Sequence, residues 1–352
     1  MNNNLYPPAS ADEFADVSTA HAEALLQNEK SFSRALLRIG LSLTIFAVLP
    51  ALLSLLFSWL VHSFLPDIIN TELYIYGRQI LVMYVITTPL CIWIIGKQQH
   101  EALSADGKKT RGPVALLVFF CIAEFFAIFG NIMGNVLMSI VGVLRNQPPE
   151  NGLTDLLQSS SPLTVFLVVV LLGPVMEELL FRHVITRRLL PYGEKTAVLL
   201  SGLFFGLAHG NFYQLFYSIA IGMLFSFLYI RTKHLLYPII FHIAFNFVGG
   251  FLPTLLQGML PIDPTDLTAT ETLLVNPFAY IWPLLLIYLY AFLVYAAAIA
   301  GFVLFCIFFP RLRFAPPLLS IRHKKRALIF LNVGVLLFFA VSLAILVLSL
   351  FT

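Results

Sequence analysis

One hydrophobic stretch, GPVMEELLFRHV, carries Glu177, Glu178, Arg182 and His183. Two later apolar stretches add His209 and the pair His242 and Asn246. An ionised side chain at membrane depth costs about 2.5–3.5 kcal/mol on insertion scales. A sequence keeps such groups where they pair, face a wet cavity or carry chemistry. Carboxylates and imidazoles in that setting serve as general bases, ligate metals or relay protons.

Spacing sorts these residues into faces. Glu178 and Arg182 are four apart with the acid first, the favourable order for an ion pair along a helix. Glu177 points about 100° away around the helix and lacks that partner. Burial and a neighbouring cation push a carboxylate's proton affinity in opposite directions, a balance that suits a general base. A purely structural Glu-Glu-Arg cluster fits the same spacing. Phe205 and His209 share a face, as do His242 and Asn246. Taken singly, His209 also fits a packed helix-end histidine, and the His242–Asn246 pair an interhelical hydrogen bond. By helical rise, Glu177 and Asn246 lie about 15 Å, His209 about 20 Å and His242 about 10 Å from the cytoplasmic ends of their segments. Those depths are compatible with one shared pocket. Glu124, Asn131 and Asn135 also fall on one helical face. That face either lines the same chamber or bonds between helices, with Gly130 and Gly134 at GxxxG spacing for close approach.

The elements that must position these groups are membrane helices. The chain has 352 residues, of which 59% are hydrophobic and 11% charged, against about 25% charged in soluble domains. The fold class expected is all-α, a polytopic transmembrane helical bundle. Runs long enough to cross a bilayer fall at roughly 36–63, 78–96, 113–143, 163–187, 196–212, 214–230, 235–256, 279–309 and 327–351. That makes about nine spans, within a range of eight to ten. The domain reading is a polar, disordered cytoplasmic tail over 1–33, without the features of a cleaved signal peptide. A single membrane domain follows over 34–352, with a catalytic core at about 113–256, where intramembrane polar residues concentrate. Cys91, Cys121 and Cys306 lie inside spans without CxxC spacing and read as small apolar residues.

All but three of the 21 basic residues lie on alternate loops or the tail; the exceptions are Arg78, Arg145 and Arg182. By the positive-inside rule the N-terminus is cytoplasmic and the C-terminus external. The 257–278 loop, with Asp263, Asp266 and Glu271 and no Lys or Arg, suits the external face. The basic loops set topology and touch anionic headgroups; nothing in them points to nucleic acid.

Several intramembrane chemistries leave no trace here. There is no HExxH to place two zinc-binding histidines and a base on one helix. No Asp lies within a span, and Ser201 lacks the glycine-flanked setting of a rhomboid serine. In order, Glu177-Glu178-x-x-x-Arg182, Phe205-x-x-x-His209 and His242-x-x-x-Asn246 resemble the three motifs of the CPBP family. That family groups type II CAAX prenyl endopeptidases with bacteriocin-processing and bacteriocin-immunity membrane proteins. The matching stretch, about 163–250, is roughly a quarter of the chain.

The resemblance implies an intramembrane endopeptidase with Glu177, His209, His242 and Asn246 as its catalytic set. Glu177, aided by His209, would activate a water, and His242 and Asn246 would donate to the oxyanion. Glu178, Arg182 and Phe205 would support them. On this mechanism no cofactor is required. The same family reading admits a divalent metal such as zinc on Glu177, His209 and His242, with one open water position. The partners implied are a membrane-associated or lipidated protein or peptide and the bilayer, in a bacterial inner membrane. A non-catalytic immunity or partner-binding protein and a proton-coupled transporter remain the other readings. The missing internal repeat weighs against the transporter.

Overall fold

A computed structural model describes residues 11–96, 112–147, 151–260, 278, 281–321 and 325–351. The described residues are helical throughout their ordered elements, with no strand among them. Helices α1 (Ala11–Phe64), α2 (Glu72–Ile95), α3 (Pro113–Arg145), a short α4 (Gly152–Ser159) and α5 (Pro162–Tyr192) come first. Then follow α6 (Glu194–Ala208), α7 (Phe212–Thr232), α8 (Leu236–Gln257), α9 (Ile281–Arg311), a short α10 (Lys325–Phe330) and α11 (Val333–Leu348).

Nine of these match the nine expected spans. Seven are long and apolar enough to cross a bilayer, while α6 has 15 residues and α11 has 16. At about 1.5 Å per residue α6 covers only about 22 Å, less than the hydrocarbon core of about 30 Å. A helix of that length that starts at one face leaves the turn that follows it, where His209 sits, short of the opposite face.

Helix ends are written in the sequence. Ser161 accepts from Thr164 N and Pro162 opens α5. Asn211 caps α7 by accepting from Gln214 N, and Asn332 caps α11. Lys233, in the left-handed region at φ 61°, stops α7. These are the side-chain and backbone devices that satisfy orphan N–H and C=O groups.

Of the stretch expected to be a disordered tail, residues 11–33 are instead helical and continuous with the first span, while residues 1–10 lie outside the described residues. α1 begins at Ala11, and Phe32 is already fully buried. Asn28 donates to Ser320 O, Tyr192 to Ser31 Oγ and Asn332 to Ser33 O. These bonds tie the start of the membrane domain to the end of α5 and to the stretches that precede α10 and α11. The same end gathers Arg231 on Glu194 at 2.8 Å, Glu194 on Ala315 N, and Lys325 on the Tyr192 carbonyl. Arg145 lies apart from it, bonded to the Leu350 and Phe351 carbonyls. The alternation of charge thus corresponds to a segregation of helix ends. Lys97, Lys108, Lys109, Arg111, Asp263, Asp266, Glu271, Arg322 and Lys324 lie outside the described residues. Cys91 is buried against Ser42, whereas Cys306 faces outward.

Two apolar clusters form the core. One joins α1, α2, α5, α6 and α11 around Phe32, Phe181, Phe204 and Phe338. The other joins α3, α7 and α8 around Ala123, Phe225 and Phe241. The outer faces of most helices expose Leu, Ile, Phe and Trp, as lipid contact requires. Lipid gives helices no hydrophobic reason to associate, so close packing must hold them together. At the crossing of α1 and α11 a Cβ on Gly40 would meet Gly334 C at 2.1 Å, and one on Gly334 would meet Leu37 O at 2.4 Å. Gly130 and Gly134 likewise seat α3 on the backbone of α7 at Tyr217 and Phe212.

The crossing of α1 and α11 supplies a stability test. Gly334→Leu overfills a site where backbones touch, and overpacking costs about 1–3 kcal/mol. Thermal unfolding in detergent should show a fall of several degrees for the variant; an unchanged midpoint would refute the tight crossing.

Candidate active site

The chain Arg182–Glu178–His242 is the spine of the site. Glu178 is fully buried in α5, and its Oε2 lies 2.9 Å from Arg182 Nε, one turn on. Its other oxygen, Oε1, lies 2.9 Å from His242 Nδ1 on α8. A carboxylate oxygen accepts, so His242 donates from Nδ1 and turns Nε2 the other way. That Nε2 faces Glu177 Oε2 at 3.8 Å, too far for a direct hydrogen bond and close enough for both atoms to touch one small molecule. The two adjacent glutamates therefore differ in environment. The Glu178 side chain is 0% exposed, while that of Glu177 is 28% exposed.

Arg182 is also wholly buried, at the seam between the two apolar clusters. Its guanidinium lies 4.6 Å from the Phe205 ring centroid, 5.8 Å from Phe225 and 6.0 Å from Phe181. Ring faces attract a desolvated cation electrostatically, so these rings stand in for water around the two terminal nitrogens.

His209 is the first residue beyond α6, at the turn into α7. The Phe205 carbonyl accepts from its Nδ1 at 2.8 Å, which leaves Nε2 open here too. The His209 and His242 rings pack edge-on against Phe205, at centroid distances of 4.8 and 5.8 Å. Phe205 is the platform on which both imidazoles and Arg182 meet. Asn246, one turn after His242, donates from Nδ2 to Val169 O on α5 at 2.9 Å. One amide hydrogen of Asn246 is thereby committed to tying α8 to α5, and the second is left for other work.

All seven residues singled out from the sequence thus fall in one neighbourhood of α5, α6 and α8. The remaining polar residues do not join it. His183 turns away towards Tyr229, 3.4 Å from its hydroxyl. Asn131 and Asn135 are exposed and bond to one another, so that stretch of α3 does not line the chamber. Its role is the close approach of Gly130 and Gly134 to α7. Glu124 is buried, with Oε2 lacking a partner among the described residues. It lines a cavity of about 360 Å³ between α3, α8 and α9, walled by apolar side chains with Tyr290 and without the motif residues.

Two features had no signal in residue spacing. The Val169 carbonyl is a backbone group, made available in the widened π-helical turn Phe166–Leu172. Tyr84 on α2 and Tyr217 on α7 both lie within reach of the Glu177 charge, yet Tyr84 is a lone tyrosine in an apolar run and Tyr217 shares its helix face with Tyr213.

Comparison with known proteins adds an independent finding. Residues 159–248 match the family described as type II CAAX prenyl endopeptidase Rce1-like. The chain is 33% identical over 142 residues to "Putative membrane peptidase YdiL" of Bacillus subtilis, covering 39% of this chain and 56% of that protein. It is 30% identical over 185 residues to "Membrane-embedded CAAX protease MroQ" of Staphylococcus aureus, covering 50% of this chain and 72% of that one. The match thus takes in little more than half the length of the first relative. No solved structure matches the chain.

The buried pair can be tested apart from any activity. Glu178→Ala leaves Arg182 buried without a counterion, a loss of about 3–5 kcal/mol for such pairs. Glu177→Gln, at a partly open carboxylate, should leave the unfolding midpoint within about 0.5 kcal/mol of wild type. Equal midpoints for the two variants in thermal unfolding would refute the different roles given to the two acids.

Proposed function

The chain belongs to the Rce1-like, or CPBP, family of membrane endopeptidases, and we propose that it is itself an intramembrane endopeptidase using a glutamate-activated water. It is an integral, multi-pass protein of a bacterial cell membrane. The observation that carries the mechanism is the pairing of Glu177 Oε2 with His242 Nε2 at 3.8 Å, on a ring held from behind by Glu178.

In this reading a water sits against Glu177 and His242 Nε2. Glu177 takes one of its protons as the water oxygen attacks the scissile carbonyl carbon. The carbonyl π pair moves onto oxygen, giving a tetrahedral oxyanion. The second amide hydrogen of Asn246 donates to that oxygen, as does His242 Nε2 when the ring carries both protons. Preorganised donors of this kind are worth about 3–4 kcal/mol each. The intermediate collapses, the C–N bond breaks, and the proton held by Glu177 passes to the leaving amine. His209, with Nδ1 held by Phe205 O, offers its Nε2 as a second proton acceptor beside Glu177.

The family reading also admits a metal on Glu177, His209 and His242. Among the described residues, no three His, Cys, Asp or Glu side chains come close enough together to hold one ion. That donor set does not fit as it stands, so no step is routed through a metal.

The substrate class proposed is a membrane-associated or lipidated protein or peptide. Support comes from the lipid-exposed outer surface and from the printed name of the staphylococcal relative, a CAAX protease. A substrate of that kind reaches the chamber sideways from the bilayer.

Cleavage of fluorogenic membrane-anchored peptides by protein in nanodiscs tests the mechanism. Glu177→Gln should lower the rate by at least about 10²–10⁴-fold, the usual worth of a positioned acid–base group, without loss of folding. Strong zinc chelators should leave wild-type cleavage unchanged. Wild-type cleavage by Glu177→Gln would overturn the glutamate mechanism, and full inhibition by chelator, reversed by added metal, would replace it.

A further inference from the structure

Four widened π-helical segments occur among the described residues: Ile80–Thr87 in α2, Phe166–Leu172 and Leu179–Thr186 in α5, and Phe247–Phe251 in α8. Two contain residues already tied to the site, and a third adjoins one. Val169 in the second receives the Asn246 amide, Arg182 lies in the third, and the fourth starts at the residue after Asn246. Such turns occur frequently at functional sites, where the altered hydrogen-bond ladder re-aims side chains. The remaining segment, in α2, holds Tyr84.

Gly173 marks where Tyr84 and the site meet. A Cβ at Gly173 would lie 3.2 Å from Tyr84 Oη, 3.4 Å from Val168 O and 4.0 Å from Glu177 Oε1. The backbone at Gly173 is ordinary right-handed helix, with φ −53° and ψ −58°. Its conformation does not call for glycine, and alanine would favour the helix by about 1 kcal/mol. What glycine supplies at this position is space. Without a Cβ there, the phenol oxygen closes tightly on the helix, on the side that also carries Glu177 Oε1.

We infer that Tyr84 is a substrate-facing hydrogen-bond donor, reaching the scissile carbonyl oxygen from its seat against Gly173 beside Glu177. The inference rests on the endopeptidase reading above and deepens it. The oxyanion needs donors, and those named so far are partly committed elsewhere. His242 Nδ1 is held by Glu178, and one Asn246 hydrogen is held by Val169 O. The phenol supplies a neutral donor that stays protonated throughout. Its O–H bond does not break. The water's proton still goes to Glu177 and then to the leaving amine, so Tyr84 stabilises charge without entering the proton relay.

Tyr84→Phe removes one oxygen and keeps the ring, while Gly173→Ala presses a methyl group against the phenol oxygen and displaces it. Measured on the anchored peptide in nanodiscs, Tyr84→Phe should lower kcat about 10²-fold, as loss of one oxyanion donor does, with KM within about threefold of wild type. Its melting temperature and the shape of its pH–rate profile should match wild type, because no proton is transferred. Gly173→Ala should lower kcat comparably, with its melting temperature preserved or raised. Wild-type kcat in Tyr84→Phe alongside an inactive Glu177→Gln overturns this inference and leaves the endopeptidase reading standing. A loss expressed only in KM, or one matched by a fall in melting temperature, also overturns it. Wild-type cleavage by Glu177→Gln would instead remove the glutamate mechanism on which the inference rests.

Discussion

A guanidinium and a carboxylate with no access to water, 2.9 Å apart inside an apolar bundle, set the terms for everything around them. Two such charges in hydrocarbon are tolerable only while each keeps its counter-charge. Arg182 is engaged by Glu178 and by three aromatic rings. Glu178 is engaged by Arg182 on one oxygen and by His242 on the other. The third member of the chain is thereby fixed as well. His242 cannot rotate without stripping Glu178 of its second partner, so its Nε2 is aimed by an electrostatic requirement lying deeper than the reactive surface. Hydrogen-bonded carboxylates fix imidazole orientation and tautomer at many functional sites. Here the carboxylate is itself fixed by a buried cation.

This arrangement explains why two adjacent glutamates behave as different residues. Helical geometry separates their side chains by about 100°. One falls on the side where Arg182 and the aromatic seam lie, and the other faces partly open space. The same step around the helix divides α5 into a structural face and a reactive one. π turns stand before and after the Gly173–Glu178 segment that carries both acids.

Local spacing in the sequence made part of this legible. The Glu178–Arg182 ion pair follows from an i,i+4 rule, and the shared faces of Phe205 with His209 and of His242 with Asn246 follow from helical period. The bond between Glu178 and His242 does not, because its partners are 64 positions apart and no period relates them. The same limit governs the α3 face. Glu124, Asn131 and Asn135 obey the period as well as any of the motif residues, yet period says which residues share a face and not which helix that face meets. The start of the first helix is obscured for a different reason. A polar, acidic stretch reads as solvated tail, but helical continuity from the span and a few specific bonds at Asn28, Ser31 and Ser33 suffice to extend it.

The short helix α6 bears on the surrounding lipid as well as on the placement of His209. A helix of 15 residues beside neighbours of 21 and 31 presents the bilayer with a hydrophobic mismatch. The membrane meets such a deficit by thinning locally or by admitting water along the shorter wall, at a cost of a fraction of a kcal/mol per ångström. Either response brings the aqueous phase nearer to the imidazoles than nominal bilayer depth would allow. It also shortens the hydrocarbon path over which an unwound substrate would have to leave its peptide groups unsatisfied. Membrane thickness is thereby coupled to hydration of the chamber, through nothing more than the length of one helix.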